Sequence, residues 1–397
     1  LTGQKRSIHR QRFNGSLLLL LLACIAFPSL AQYTVRIEVS AAPALHKTDS
    51  IFIAGNFNGW NPGNTQYLLT PVGDRLVVTL KDMPSGILEF KFTRGNWNKV
   101  QTTSTGGQVP NSILRLGSDT TISLNIAGWS DDFAPAPKQH TATTGVHIID
   151  TSFYIPQLNR YRRLWVYLPA GYEKSTQRYP VLYMHDGQNL FDDYTSGYGE
   201  WGVDECLDTL GNKTKRPCIV VGIDNGNRRM NEYNPFDFDK YGKGEGDAYV
   251  EFLATTLKHF IDEKYRTLPG KDNTIIAGSS MGGLISYYAM LRRPDVFGKA
   301  GIFSPAFWTA PAIRPMTDSL SKGNTGKFFF YMGRLEGGSY VQDMEDVMDE
   351  LGTHSSAMIY SVIDEEGRHN EQSWRKWFAD FYNFIMADGF NNVTKIE

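Results

Sequence analysis

The sequence is short of cysteine, of charge bias and of long apolar runs. It has 3 cysteines in 397 residues. Removal of the leader described below leaves Cys206 and Cys218, which can form at most one disulfide, so no cysteine framework holds the chain together. No Cys/His cluster has the spacing of a zinc site, so neither a metal nor another cofactor is expected. Lys plus Arg total 40 and Asp plus Glu total 42, a net charge of −2, which removes the electrostatic case for nucleic acid as the main partner. Beyond the leader, no stretch could span a bilayer, and no internal repeat is visible. The 41% hydrophobic and 21% charged content excludes a disordered chain and a multi-span membrane protein. What is plentiful is aromatic: 8 Trp and 20 Tyr, residue types that fill cores and also line sugar and aromatic-ligand surfaces. The length suggests roughly two or three domains.

Residues 1–31 read as a signal peptide. Lys5, Arg6, Arg10 and Arg12 form a basic region, residues 17–27 are apolar, and Ser29-Leu30-Ala31 places small residues at a cleavage site before Gln32. Leu22-Ala23-Cys24 faintly resembles a lipoprotein box, but apolar residues continue past Cys24, so ordinary cleavage and export to the periplasm or medium is the expectation. Residues 32–128 read as an all-β sandwich. Segments 33–39 (YTVRIEV), 51–54, 76–80, 88–92 and 121–124 carry the strand pattern, and Asn58-Gly59, Asn61-Pro62-Gly63 and Pro84-Ser85-Gly86 punctuate them. Residues 129–144, rich in Pro, Ala and Thr, read as a linker.

From 145 to 397 the pattern alternates strand and helix. Strands are expected at 163–168, 181–185, 218–223, 274–277, 299–303, 327–332 and 358–363, and helices at 247–263, 281–292, 341–351 and 372–386. That order implies a mostly parallel sheet with helices on both faces, and chemistry beyond the carboxyl ends of its strands. Cys206 and Cys218 fall near the end of a helix and the start of a strand, and whether they pair stays open.

Gly278-Ser279-Ser280-Met281-Gly282 matches G-x-S-x-G. A buried strand runs into it and a helix runs out, which is the geometry of a nucleophile elbow. The spacing selects Ser280 and makes Ser279 a decoy. A serine hydroxyl needs a base, and the chain order is serine, acid, histidine. Of the two later histidines, His354 precedes a strand, while His369 follows one and lies on the catalytic rim. Glu336, four residues past the strand at 327–332, is the favoured acid, over Asp343 and Asp364. The backbone N–H of Met281 supplies one donor of an oxyanion hole, and Gly187 or Gln188, after the strand at 181–185, the other. His185 and Asp186 are read as shaping that loop.

These residues resemble a family. Segments 182–192 (LYMHDGQNLFD), 220–225 (VVGIDN), 229–233 (RMNEY), 278–283 (GSSMGG) and 367–369 (GRH) are similar to the esterase group of α/β hydrolases that includes esterase D, the feruloyl and acetylxylan esterases of carbohydrate esterase family 1, and the enterochelin esterases. The resemblance implies an α/β hydrolase fold, ester hydrolysis, Ser280 as nucleophile, His369 as base and Glu336 as acid, where many relatives carry Asp. The first domain, in residues 51–62 (IFIAGNFNGWNP) and 88–97 (LEFKFTRGNW), resembles starch- and glycogen-binding modules of families 48 and 20, an immunoglobulin-like sandwich. That likeness implies a sugar platform of Trp60, Lys91 and Trp97. Where those modules often carry an Asn in the last strand, this chain has Pro110-Asn111. A purely structural role for the domain is the competing reading.

The long polar segment 224–241 follows a strand on the catalytic side and is expected to wall the substrate. Arg228 and Arg229 could grip a carboxylate or sugar there, or one of them could pair with Glu232. Trp308 could face an aromatic acyl group. The leading expectation is an exported serine esterase acting on feruloyl or acetyl esters of plant polysaccharide, with a polysaccharide or oligosaccharide ester as its partner. The alternatives are a siderophore trilactone esterase, a non-catalytic glucan-binding protein, and an acyltransferase whose acyl-enzyme is intercepted by a sugar alcohol.

Overall fold

Val181–His185, Ile219–Ile223, Thr274–Ser279 and Lys327–Gly333 are buried at every residue. Such runs form strands only where a sheet is covered on both faces. The computed structural model describes residues 32–134, 138–214 and 216–387, so the signal-peptide expectation at 1–31 lies outside the described residues. The chain divides into two compact units, Leu1–Asp131 and Asp132–Glu397.

The first unit is mainly sheet. Its strands are β1 (Gln32–Ala41), β2 (Phe52–Gly55), β3 (Thr70–Val72), β4 (Arg75–Pro84), β5 (Gly86–Thr93), β6 (Gln101–Thr102), β7 (Ser112–Leu116), β8 (Thr120–Asn125) and β9 (Gly128–Trp129). They form sheets of order β3-β4-β1-β8, β2-β5-β7 and β6-β9. β1 alternates as its sequence does: Val35, Ile37 and Val39 point into a core that also holds Phe90, Phe92 and Trp129. Arg94 is buried there, with Nη1 on Asp49 at 2.6 Å, its other terminal nitrogen bonded to Asp131, and its guanidinium 5.2 Å from the Trp129 ring centroid.

The second unit is built on one eight-stranded sheet. Its strands are β10 (Val146–Ile155), β11 (Arg160–Tyr167), β12 (Val181–His185), β13 (Ile219–Ile223), β14 (Thr274–Ser279), β15 (Lys299–Phe303), β16 (Lys327–Gly333) and β17 (Met358–Asp364), in the order β10-β11-β13-β12-β14-β15-β16-β17. β10, β11 and β13 pair antiparallel, and every neighbour from β13 to β17 is parallel. The helices are α1 (Val203–Thr214), α2 (Arg229–Glu232), α3 (Gly246–Glu251), α4 (Lys258–Lys264), α5 (Met281–Arg292), α6 (Ile313–Leu320), α7 (Tyr340–His354) and α8 (Glu371–Met386). Side-chain alternation along the strands splits the core. Ile276, Phe328 and Phe330 pack with α5 on one face, and Ile275, Ala277 and Phe329 pack with α8 on the other. No helix among the described residues is long and apolar enough to cross a membrane.

Some elements differ from the sequence expectation. β10 was not anticipated. It is an edge strand with polar Asp150 and Ser152 at a double register shift, so its alternation is broken. The helix expected at 247–263 contains a π-helical stretch, Phe252–Leu257, between α3 and α4. Residues 138–144 of the expected linker belong to the second unit and are hydrogen-bonded within it: the His140 ring bonds Asp192 at 2.7 Å, Thr141 Oγ1 donates to Glu200 at 2.7 Å, and the Thr143 N–H donates to Asp204 at 2.7 Å. Composition shows turn-rich polar residues there but not the acids they meet. Cys206 and Cys218 are free thiols, and burial pushes their ionisation up to about 11 and about 12.

The wall segment after β13 is anchored through a buried acid. Glu232 is fully buried and receives Arg160 Nη1 at 2.7 Å and the Arg162 guanidinium, both from β11. Removing one member of a buried ion pair strands the other without water. Glu232→Ala should therefore destabilise the second unit by about 3–5 kcal/mol, read as a lowered urea midpoint.

Candidate active site

β14 ends at Ser279, α5 begins at Met281, and Ser280 is the turn between them, at φ 58° and ψ −120°. This conformation is strained for a residue with a Cβ, and the surroundings enforce it. The Ser280 N–H donates to the Phe303 carbonyl at 2.9 Å, and the Ser280 carbonyl accepts from Ala306 N at 3.0 Å and Leu284 N at 3.1 Å. Glycine is needed on either side of the turn. A Cβ on Gly278 would sit 2.9 Å from the His185 ring, and one on Gly283 would sit 2.8 Å from the Phe303 carbonyl oxygen. The elbow is thus clamped to the loop that leaves β15.

The acid and the histidine meet beyond the ends of β16 and β17. Glu336 closes a single 3₁₀ turn, Arg334–Glu336, directly after β16. Its Oε2 lies 2.6 Å from His369 Nδ1, and its Oε1 accepts from Gly333 N at 2.9 Å and Ser304 Oγ at 2.5 Å. The Glu336 side chain is 2% exposed and that of His369 45%, so the carboxylate is sealed while the imidazole faces solvent. With Nδ1 held, Nε2 is the ring nitrogen left for proton transfer. Trp374 of α8 packs edge-on against the His369 ring at 5.2 Å and donates its indole N–H to Ser304 Oγ at 2.8 Å. The rival acids are engaged elsewhere. Asp364 accepts from Lys376 and Trp377, each at 2.8 Å, and Asp343 accepts from Ser339 Oγ at 3.0 Å on α7.

The loop after β12 approaches from the other side. Gly187 opens a 3₁₀ turn, Gly187–Asn189, and a Cβ there would lie 2.8 Å from the backbone of Gly222 and Ile223. Among the described residues, the N–H groups of Met281, Gly187 and Gln188 donate to no protein acceptor. Asp186, at φ 58°, holds this loop. Its carboxylate accepts from Arg229 Nε at 2.7 Å, Arg229 Nη2 at 2.8 Å and Asn225 Nδ2 at 2.7 Å. Burial alone would raise the Asp186 carboxyl, but the Arg229 charge and these hydrogen bonds outweigh it and keep it below its ordinary value. His185 beneath is buried and pushed down to about 3, a neutral imidazole with Nδ1 3.0 Å from the Tyr249 hydroxyl.

The wall residues divide. Arg229 is committed to Asp186, so it shapes the loop after β12 and is not free to grip a ligand. Arg228 pairs with Glu245 at 3.1 Å, and neither arginine takes Glu232, which Arg160 and Arg162 occupy. Trp308 stands 46% exposed between buried Phe307 and Thr309, just past the Ala306–Ser280 hydrogen bond. Its ring lies 6.0 Å from Phe238 and 6.4 Å from Tyr340, so three post-strand segments contribute one aromatic face. In the first unit, the rings of Trp60 and Trp97 are 6.3 Å apart and tilted 41°, with Trp97 exposed. Lys91 is half-buried on β5, and burial holds its ammonium below the ordinary value.

Ser304 and Trp374 were not identified from sequence. A signal existed for Ser304, which follows a strand on the catalytic rim, but nothing local distinguishes it from other such residues. Its φ of 43° and its two hydrogen bonds are tertiary facts.

A parallel sheet with a strand–serine–helix elbow at one strand end, and an acid–histidine pair beyond two others, defines an α/β-hydrolase-like enzyme. The chain belongs to the esterase family described as "Putative esterase", whose model matches residues 155–381. It is 31% identical over 236 residues to an endo-1,4-beta-xylanase/feruloyl esterase of Xylanibacter ruminicola, covering 58% of this chain and 30% of that protein. It is 23% identical over 316 residues to an iron(III) salmochelin esterase of Escherichia coli, covering 73% of this chain and 66% of that one. The ferric enterobactin esterase structure from Salmonella typhimurium superposes with a TM-score of 0.52 at 14% identity, covering 85% of this chain and 88% of the other. That likeness concerns the fold.

Ser304→Ala removes the hydroxyl that orients Glu336 without touching His369. It should lower kcat for ester hydrolysis by about tenfold, the worth of one hydrogen bond to a charged group, while leaving KM near the wild-type value in steady-state kinetics.

Proposed function

We propose that this chain is an exported serine esterase that releases feruloyl groups, or less readily acetyl groups, from plant polysaccharide. The observation that carries the serine mechanism is the Glu336–His369 pair at 2.6 Å, set beyond the strand ends on the same rim as the strained Ser280. In this reading Ser280 Oγ attacks the ester carbonyl carbon as His369 Nε2 takes its proton. The carbonyl oxygen becomes an oxyanion, received by the N–H of Met281 and of Gly187 or Gln188. The alcohol leaves with the proton from Nε2. Water then attacks the acyl-serine by the same route, releasing the acid and restoring the serine hydroxyl. Glu336 fixes the tautomer and balances the imidazolium charge.

Two observations favour an aromatic acyl group on a glycan. The face formed by Trp308, Phe238 and Tyr340 suits a flat ring. The tilted Trp60–Trp97 pair supports sugar binding by the first unit, which we read as an immunoglobulin-like carbohydrate-binding sandwich. The name of the Xylanibacter ruminicola relative points the same way. A second reading, hydrolysis of a catecholate siderophore trilactone, is favoured by the salmochelin esterase, whose alignment covers the larger share of this chain.

The test is a panel of p-nitrophenyl acetate, methyl ferulate, feruloylated arabinoxylan oligosaccharide and enterobactin. Ser280→Ala should lower kcat about a millionfold on whichever substrate is turned over. Ferulate release from the oligosaccharide supports the leading reading, and turnover of enterobactin alone supports the second. Trp308→Ala should raise KM for methyl ferulate about tenfold and leave p-nitrophenyl acetate nearly unchanged.

A further inference from the structure

Past the 187–189 turn, the loop after β12 carries an aromatic surface that belongs neither to the Glu336–His369 pair nor to the Trp308 face. Tyr194 is 51% exposed, and the His140 ring, its side chain 69% exposed, stacks on it with centroids 4.1 Å apart and planes at 25°. One buried carboxylate orients both rings. Asp192, 5% exposed, accepts through Oδ1 from the Tyr194 N–H at 3.0 Å and the Thr141 N–H at 3.1 Å, and its Oδ2 lies 2.7 Å from His140 Nδ1. The stack is thus fixed before any ligand arrives, which lowers the entropic cost of binding. With Nδ1 held, Nε2 is the ring nitrogen left for a ligand.

Neither packing nor fastening of the segment 138–144 accounts for the stack. Both rings stay largely in water, and Thr141 Oγ1 on Glu200, the Thr143 N–H on Asp204 and Lys138 Nζ on the Asp193 carbonyl already hold that segment. The loop is also tied to the catalytic side. Thr195 Oγ1 donates to the Gln188 carbonyl at 2.8 Å, and the Gly197 N–H donates to Asn189 Oδ1 at 3.1 Å. Tyr194 therefore stands one residue from a bond to the 187–189 turn.

Charge selects the class of ligand. Residues 192–200 include Asp192, Asp193 and Glu200 and no Lys or Arg. The neighbouring cations are engaged: Lys138 donates to the Asp193 and Ser196 carbonyls, and Arg375 reaches Glu200 at 3.4 Å. A proton on His140 is balanced by Asp192. This surface offers an anion no counter-charge. It suits an uncharged pyranose, whose C–H face covers an aromatic ring while a hydroxyl meets the imidazole edge. We propose that Tyr194 and His140 form a sugar subsite on the second unit, which takes an uncharged pyranose of the ester-bearing glycan.

The inference rests on the polysaccharide-ester reading, and two measurements separate their failures. The first is steady-state kinetics of the full chain on methyl ferulate, which has no sugar, and on feruloylated arabinoxylan oligosaccharide. Tyr194→Ala should raise KM for the oligosaccharide about tenfold and leave both constants for methyl ferulate unchanged, which also shows that the variant folds. Tyr194→Phe keeps the ring and should match wild type on both substrates. The second is calorimetric titration with unesterified arabinoxylan oligosaccharide, in a Trp60→Ala/Trp97→Ala background that silences the first unit. Binding should persist there and weaken about tenfold when Tyr194→Ala is added. A KM rise on both substrates or on neither overturns the subsite. So does a Tyr194→Phe loss equal to that of Tyr194→Ala, or a titration without Tyr194-dependent binding. If the wild type releases no ferulate from the oligosaccharide, the polysaccharide-ester reading falls, and the titration alone decides the subsite.

Discussion

The Glu336 carboxylate is the point at which the ends of three neighbouring strands are tied together. It takes a backbone N–H from Gly333 at the end of β16, a hydroxyl from Ser304 just past β15, and the imidazole of His369 beyond β17. Ser304 is in turn one residue from Phe303, whose carbonyl holds the N–H of Ser280 beyond β14. The ends of four adjacent parallel strands thus contribute to one connected network. Parallel strands make this natural, because all their carboxyl ends face the same way and the loops leaving them must lie side by side. The network is buried at the carboxylate and open at the imidazole, which sets charge stabilisation and solvent access at opposite ends of one hydrogen bond.

The loop after β12 depends on the same physical logic with different residues. A left-handed Asp186 and a glycine pressed against β13 bring the turn at 187–189 close to the elbow. The carboxylate that shapes it is neutralised by Arg229, and Arg160 and Arg162 neutralise Glu232, three residues further on. Both of these buried acids are matched by guanidinium groups, which is what burial of charge requires. Glu371 is also buried, takes the Asn189 amide at 3.3 Å, and burial raises its carboxyl to about 7. The arginines that look like ligand clamps in the sequence are therefore structural cations, and the exposed wall is left to aromatic side chains.

How much was readable follows from where the information lies along the chain. The parallel sheet was legible because its central strands are continuous apolar runs. The meeting of Glu336 with His369 was legible because strand order and post-strand position suffice to place both on one rim. β10 escaped because an edge strand with a bulge carries neither an apolar run nor a clean alternation. The segment at 138–144 looked like linker because its acidic partners are distant in sequence. Asn189 and Glu371 are 182 residues apart, and Ser304 and Trp374 are 70 apart. No local pattern encodes such pairs.

The sequence by itself determined the central parallel strands and their order along the chain, the elbow at Ser280 and the candidate base and acid, because each rests on periodicity or on spacing within one strand–loop–helix unit. Only the tertiary structure decided which charges cancel. The commitment of Arg229 to Asp186, the support of Glu336 by Ser304 and the contact of Asn189 with Glu371 depend on which loops the sheet brings side by side. Pairing of buried polar groups is a property of neighbours in space, and folding chooses those neighbours through the burial of the strands beneath them.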